Sequence, residues 1–145
     1  MPASETKAWT KLYAPWTDHE LEYGDDTLAS IYDRNLELNA DKPATYFFGR
    51  GQSYKELDQQ VRAAAAGLKA FGIRPGDRVA IVLPNCPQHL AAFFAIQKLG
   101  ATVVEHNPLY TAHELEGLFK DHGARVVIAW DKAAPTLERF AQPRT

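Results

Sequence analysis

Few residues in this chain combine a reactive side chain with a position where chemistry occurs. Cys86 is the sole cysteine and lies in Leu83-Pro-Asn-Cys-Pro87, between an apolar run and a helix start. Nucleophile elbows occupy such junctions, and a helix N-terminus favours a thiolate. However, Pro87 follows directly and the Gly-x-nucleophile-x-Gly frame is missing. Cys86 therefore reads as a small buried side chain. The histidines are His19, His89, His106, His113 and His122, with no His-x-x-x-His pair to build a helical zinc site. His106 follows Glu105 where an apolar strand emerges, so a ligand could meet it; a loop imidazole bonded to backbone is the plainer expectation. For Glu105, capping or a salt bridge is expected rather than acid–base work. Gly49-Arg-Gly51 has two glycines of a phosphate loop but precedes a short return strand instead of a helix, so it reads as a hairpin turn. No catalytic or metal-binding residue is assigned.

The elements that would hold these residues follow from periodicity. Residues 1–26 are expected to form an extended arm, with Trp9, Tyr13, Trp16 and Tyr23 either docking on the domain or a neighbouring subunit, or belonging to a disordered tail. A helix is predicted from Thr27, with Leu28, Ile31, Tyr32, Asn35, Leu36 and Leu38 on one face, stopped before Pro43. Residues 44–48 and 52–53 read as a strand and a short return strand. Ser53-Tyr-Lys-Glu56 is a capping box. It opens a helix with Leu57, Val61, Ala64, Leu68 and Phe71 on its buried face and Gly72 as its left-handed end.

Residues 78–83 are almost wholly apolar, as a strand covered on both faces requires. A deeply buried helix should run to about Leu99, because residues 90–96 are apolar almost all round. A parallel strand at 101–104, a loop at 107–110 and a second capping box, Thr111-Ala-His-Glu114, come next. The helix ends at Gly123, a strand follows at 125–129, and a helical segment at 133–140. Alternation of this kind predicts an α/β fold: an open, largely parallel sheet with flanking helices. Ligands gather beyond the carboxyl ends of such strands, here residues 84–87, 105–110 and 130–132.

At 145 residues, with 46% hydrophobic and 23% charged side chains, the chain has the composition of one globular domain. A net charge of -2 offers no field for nucleic acid. One cysteine excludes an internal disulfide framework and suits a reducing compartment. No basic-then-apolar leader is visible, and a cytoplasmic location is expected.

The assembled residues resemble the N-terminal region of the AMP-forming acyl-CoA synthetases, a branch of the adenylate-forming ligases. The matching stretches are Ser53-Tyr-Lys-Glu-Leu57, Gly76-Asp-Arg-Val-Ala80, Leu83-Pro-Asn-Cys-Pro87, Leu99-Gly-Ala101, Asn107-Pro-Leu-Tyr-Thr111, Glu114-Leu115 and Asp121-His-Gly-Ala124. Asn107-Pro-Leu-Tyr-Thr111 followed by Glu114-Leu115 is most similar to the medium- and long-chain fatty acid ligases. The resemblance implies that a carboxylate attacks the α-phosphate of ATP, and that coenzyme A then displaces AMP from the acyl-adenylate. It implies ATP, Mg2+ and coenzyme A for the full-length parent, with none expected to bind tightly to this portion. The family's phosphate loop, aromatic-Gly-x-Thr-Glu motif, ribose-binding aspartate and catalytic lysine fall beyond residue 145. Residues 27–145 are thus expected to be a truncated ligase domain, inactive alone.

Asn107, Tyr110 and Thr111 are the expected substrate-binding residues. Tyr110 is also open to a packing role. Leu109 stands where some relatives carry a basic residue for coenzyme A phosphate, so that contact is not carried over. A fatty acid is the expected substrate. A homodimer and a peripheral membrane contact are open to the parent. Two other readings stay open: a stand-alone flavodoxin-like ligand or interaction module, and an adenylating enzyme for aryl or amino acids.

Overall fold

The computed structural model describes residues 7–20 and 24–139. A short 3-10 helix, Ala8–Leu12, lies within the stretch expected as an arm. Trp9 and Trp16 are exposed there, and Tyr23 falls outside the described residues. Helix α1 spans Leu28–Asn39, with Thr27 as its N-cap. The Thr27 hydroxyl accepts from the Ser30 N–H, and the Ser30 hydroxyl accepts from the Thr27 N–H. The expected apolar face of α1 is mostly solvent-facing. Only Tyr32 is buried, while Leu28, Ile31 and Leu38 are exposed.

Strands β1 (Pro43–Phe47) and β2 (Arg50–Ser53) form an antiparallel hairpin, Phe47 opposite Arg50. Phe48 and Gly49 make the turn, both at positive φ (47° and 80°), as a two-residue hairpin that follows the strand twist demands. The hairpin reading of the GxG stretch holds, but only Gly49 lies in the turn; Arg50 and Gly51 already belong to β2, opposite Phe47 and Tyr46. Ser53 caps α2 (Tyr54–Ala70) through the expected box with Glu56. Leu57, Val61 and Leu68 are buried, but Phe71 is 68% exposed. It follows the last residue of α2, where the chain turns away from the core face.

Three parallel strands, β3 (Arg78–Val82), β4 (Thr102–Glu105) and β5 (Val126–Ala129), form the main sheet in the order β4-β3-β5. Val79, Ala80, Ile81 and Val82 of the central strand are 0% exposed, so each of the larger side chains contributes about 1.5–3 kcal/mol by burial. Helix α3 (Pro87–Lys98) connects β3 to β4. Pro87 takes the first helical position, where its missing N–H is no loss. Gly100 follows at φ 66°, and a Cβ there would stand 3.3 Å from that of Pro75. A left-handed residue and a close approach coincide, so glycine suits both demands. Helix α4 (Ala112–His122) then crosses to β5. The expected terminal helix is divided into a 3-10 turn, Asp131–Ala133, and α5, Ala134–Glu138.

Side chains alternate across the sheet. Val79, Ile81 and Val103 enter the main core with α1, α2 and α3. Val82 and Ala129 enter a smaller core with Leu115, Phe119 and Leu137. Helix α3 is less enclosed than its composition suggests. Ala91, Ala92, Ala95 and Ile96 are buried, but Leu90 is exposed and Phe93 and Phe94 are half-buried.

Candidate functional site

The carboxyl ends of β3 and β4 carry the residues that sequence singled out. Glu105 ends β4 on the α3 face, and His106 follows on the α4 face. The same alternation that divides the core thus sends adjacent polar residues to opposite sides.

On the α3 face, His89 Nε2 lies 2.5 Å from Glu105 Oε1. This side-chain contact gives Glu105 the partner that the plainer expectation called for. Sequence carries no signal for His89 as a site residue, because its partner is sixteen positions away. Its Nδ1 is buried without a hydrogen-bond partner among the described residues. Beside the pair opens a cleft of about 540 Å³, between the β1 strand and the first turns of α3. Tyr46 and Phe47 form one wall; Cys86, Pro87, Leu90, Phe93 and Phe94 form the other; Thr45, Asn85, His89 and Glu105 supply polar groups. A mostly apolar cavity of this size with a few polar groups has the character of a small-molecule site. Phe94 stacks on Tyr32 at 4.3 Å, which anchors the back wall to α1. Cys86 is the N-cap of α3 and half-buried, so it lines a cleft instead of filling the core.

On the α4 face, His106 Nε2 lies 3.0 Å from His122 Nε2. His106 stacks on Phe119 at 5.1 Å. The expectation of a loop imidazole bonded to backbone is corrected here: its partner is a second imidazole. Both rings have pKa values below the ordinary 6.5. For His106 the causes are burial and then the neighbouring His122. For His122 burial is again the largest, Asp121 opposes it and Arg78 adds to it.

Between these two clusters runs the loop bearing Asn107, Tyr110 and Thr111. Asn107 Oδ1 accepts from the Leu109 N–H at 3.0 Å, closing an Asx turn. The Thr111 hydroxyl is engaged in the capping box with Glu114. Tyr110 is 37% exposed. None of the three lines the 540 Å³ cleft. Residues 130–132, the third strand end, continue from β5. The Trp130 N–H donates to the Val82 carbonyl, and Lys132 Nζ lies 5.1 Å from the Trp130 ring centroid.

The described residues do not fit a triphosphate–magnesium centre. No three His, Cys, Asp or Glu side chains converge as a metal-binding group. No glycine-rich turn opens a helix toward the cleft, and α3 begins instead with Cys86-Pro87.

The AMP-binding enzyme family matches residues 32–144. This chain belongs to that family. Its fold is that of the N-terminal domain of adenylate-forming ligases, and the chain corresponds to an N-terminal portion of the AMP-binding enzymes. A long-chain-fatty-acid–CoA ligase of Bacillus subtilis (strain 168) is 36% identical over 129 residues, which cover 89% of this chain and 23% of that protein. The chain thus spans about a quarter of the length of this curated relative. Among solved structures, the anthranilate CoA ligase AuaEII in complex with anthranoyl-AMP superposes with a TM-score of 0.73 at 30% identity, covering 77% of this chain and 22% of that one. VinN in complex with 3-methylaspartate gives a TM-score of 0.77 at 27% identity, with coverage of 83% and 33%. No helix among the described residues of this AMP-binding enzyme portion is long and apolar enough to cross a membrane.

Proposed function

We propose that this chain is the N-terminal scaffold portion of a fatty acid–CoA ligase that uses ATP, Mg2+ and coenzyme A and is inactive alone. The supporting observation is the 36% identity to a long-chain-fatty-acid–CoA ligase across 89% of the chain. The whole protein would join a carboxylate to AMP with release of pyrophosphate, and coenzyme A would then displace AMP. Within this portion the catalytic contribution is positioning. The sheet holds the 107–111 loop at its carboxyl edge, and the apolar cleft beside β1 offers space for a hydrocarbon group. Asn107, Tyr110 and Thr111 belong to the substrate side, with Asn107 and Thr111 acting by fixing the loop. Residues 27–145 form the ligase part and residues 1–26 its arm, in a cytoplasmic enzyme.

Two experiments test this. The purified chain should give no ATP–pyrophosphate exchange with fatty acid, and exchange above a no-protein control would overturn its inactivity. A chimaera carrying residues 32–144 in place of the matching part of the Bacillus subtilis ligase should retain long-chain acyl-CoA synthesis. A folded chimaera without adenylation activity would overturn the scaffold reading. A second reading, an adenylating enzyme for aryl or amino acids, is favoured by the likeness to AuaEII and VinN. The same chimaera, challenged with anthranilate and 3-methylaspartate, discriminates it.

A further inference from the structure

The hydrogen-bond geometry around His122 fixes more than a contact. His122 Nδ1 lies 3.0 Å from the Ala124 backbone nitrogen, whose N–H donates to it. A nitrogen that accepts carries no proton, so the proton of neutral His122 sits on Nε2. That N–H faces His106 Nε2 at 3.0 Å. His106 Nε2 must then present a bare lone pair, which puts the His106 proton on Nδ1. The reverse arrangement would set His122 Nδ1–H against the Ala124 N–H. One tautomer pair satisfies every contact, and in it both rings are neutral.

We propose that His106 and His122 form a proton-released latch that holds the base of the 107–111 loop against the last turn of α4, closed when both rings are neutral and opened by acid. A proton added to His106 Nε2 would confront the His122 N–H. A proton added to His122 Nδ1 would confront the Ala124 N–H. Either event replaces an acceptor by a second donor. The latch acts on the loop because His106 precedes Asn107 directly and is pinned by its own backbone, whose N–H donates to the Ile81 carbonyl at 2.9 Å. Opening therefore frees the ring and the loop beyond it, while the strand end stays paired.

The surroundings, Asp121 apart, favour the neutral, closed pair and give an imidazolium little to hold it in place. From α4, Phe119 covers one face of His106 and offers no charge to an imidazolium. Also on α4, the Asp121 carboxylate favours a charged His122. From β3, the Arg78 guanidinium opposes it. Glu105 is turned to the other face of the sheet, where His89 holds it. Neither ring has a carboxylate as a hydrogen-bond partner among the described residues.

This inference rests on the reading of the 107–111 loop as part of the substrate side, and it makes His122 a positioning residue. Its test is independent of adenylation: 15N and 1H NMR of the 145-residue chain between pH 7.5 and 5. At pH 7.5 His106 should show the Nδ1–H tautomer and His122 the Nε2–H tautomer. The amides of residues 107 and 109–111 should shift with one midpoint below 6.5. In H122N the shorter side chain can still accept from the Ala124 N–H as an Asx turn but cannot reach His106. There the loop amides should already sit near their acid positions at pH 7.5, and the His106 midpoint should return toward 6.5. An Nε2–H tautomer at His106, loop amides indifferent to pH, or an H122N titration identical to wild type would overturn the latch. The wild-type spectra decide without the variant should H122N fail to fold. A failed latch leaves the ligase reading intact, and an inactive chimaera leaves the latch intact.

Discussion

Tyr32 shows how one atom can work against its own side chain. Its ring is 3% exposed and stacks on Phe94, but its hydroxyl is buried without a hydrogen-bond partner among the described residues. Burial, and then the nearby Asp58 charge, push its pKa up to about 12. The ring stabilises the core and the hydroxyl costs. Tyr32→Phe keeps the stack and removes the orphan, so it should gain about 1 kcal/mol in urea unfolding; a loss larger than that would mean the hydroxyl has a partner. Leu115 is the opposite case: fully buried, in the small core on the α4 face. Leu115→Ala should cost about 2–5 kcal/mol by the same measurement. His106 and His122 set a pH dependence of their own. Their folded pKa values lie below 6.5, so the unfolded chain binds more protons. Their contribution is fully present above pH 6.5 and is lost as pH falls through the depressed folded values. The unfolding midpoint should therefore drop between pH 7 and pH 5, and less so in H122N. At this scale sequence was informative only about neighbours. Glu105 was legible as a charge needing a partner, because it ends an apolar strand. His89 and His122 were not, since each meets its partner across sixteen residues and two elements.

The helices were readable because their ends are local. Ser53 with Glu56, and Thr111 with Glu114, satisfy backbone donors within four residues, and both boxes form as predicted. The box at Thr27 is less legible, because Ser30 takes the place usually held by Glu or Gln. Ser53→Ala should cost about 1 kcal/mol, measured by thermal unfolding, and an unchanged midpoint would show that α2 is held by packing alone. The buried faces were harder to read. Periodicity says which residues share a face, but not whether another element covers it. Phe71 and the outer residues of α1 have the right spacing but little cover among the described residues. The hairpin wall of the cleft was invisible for the same reason: Tyr46 and Phe47 reach α3 only through tertiary packing. Lys98 joins the helices on that side. It pairs with Asp33 of α1 and lies 4.0 Å from the buried Asp58 of α2, whose Oδ1 has no hydrogen-bond partner among the described residues.

As a whole, the molecule is a sheet with one well-covered strand between two edges. β3 has neighbours on both sides, while β4 and β5 each have one among the described strands. Open edges with unsatisfied backbone groups invite pairing with another chain. Size-exclusion mass should therefore rise with concentration, and Val127→Lys, on the half-open β5, should reduce that rise. A compact monomer at all concentrations would instead favour a self-sufficient module. The sheet's order and its burial pattern agree because one apolar run, residues 78–83, must be covered on both faces. That necessity made the α/β class legible before any contact was known.

The hairpin turn has a practical consequence. Phe48 is 94% exposed and holds φ 47°, a backbone state that suits Asn or Gly better than an aromatic residue. Conformational preference and solubility thus point the same way at this position. Phe48→Asn relieves the backbone but gives up an edge-to-face contact with Phe47, so the unfolding free energy should change by less than about 1 kcal/mol, while retention on a hydrophobic column weakens. Because Phe47, its neighbour, lines the cleft and meets the Phe48 ring edge-to-face at 4.5 Å, an aromatic reporter group placed at position 48 would sense occupancy next door. The tip of the hairpin is a ready-made handle for watching the cleft fill.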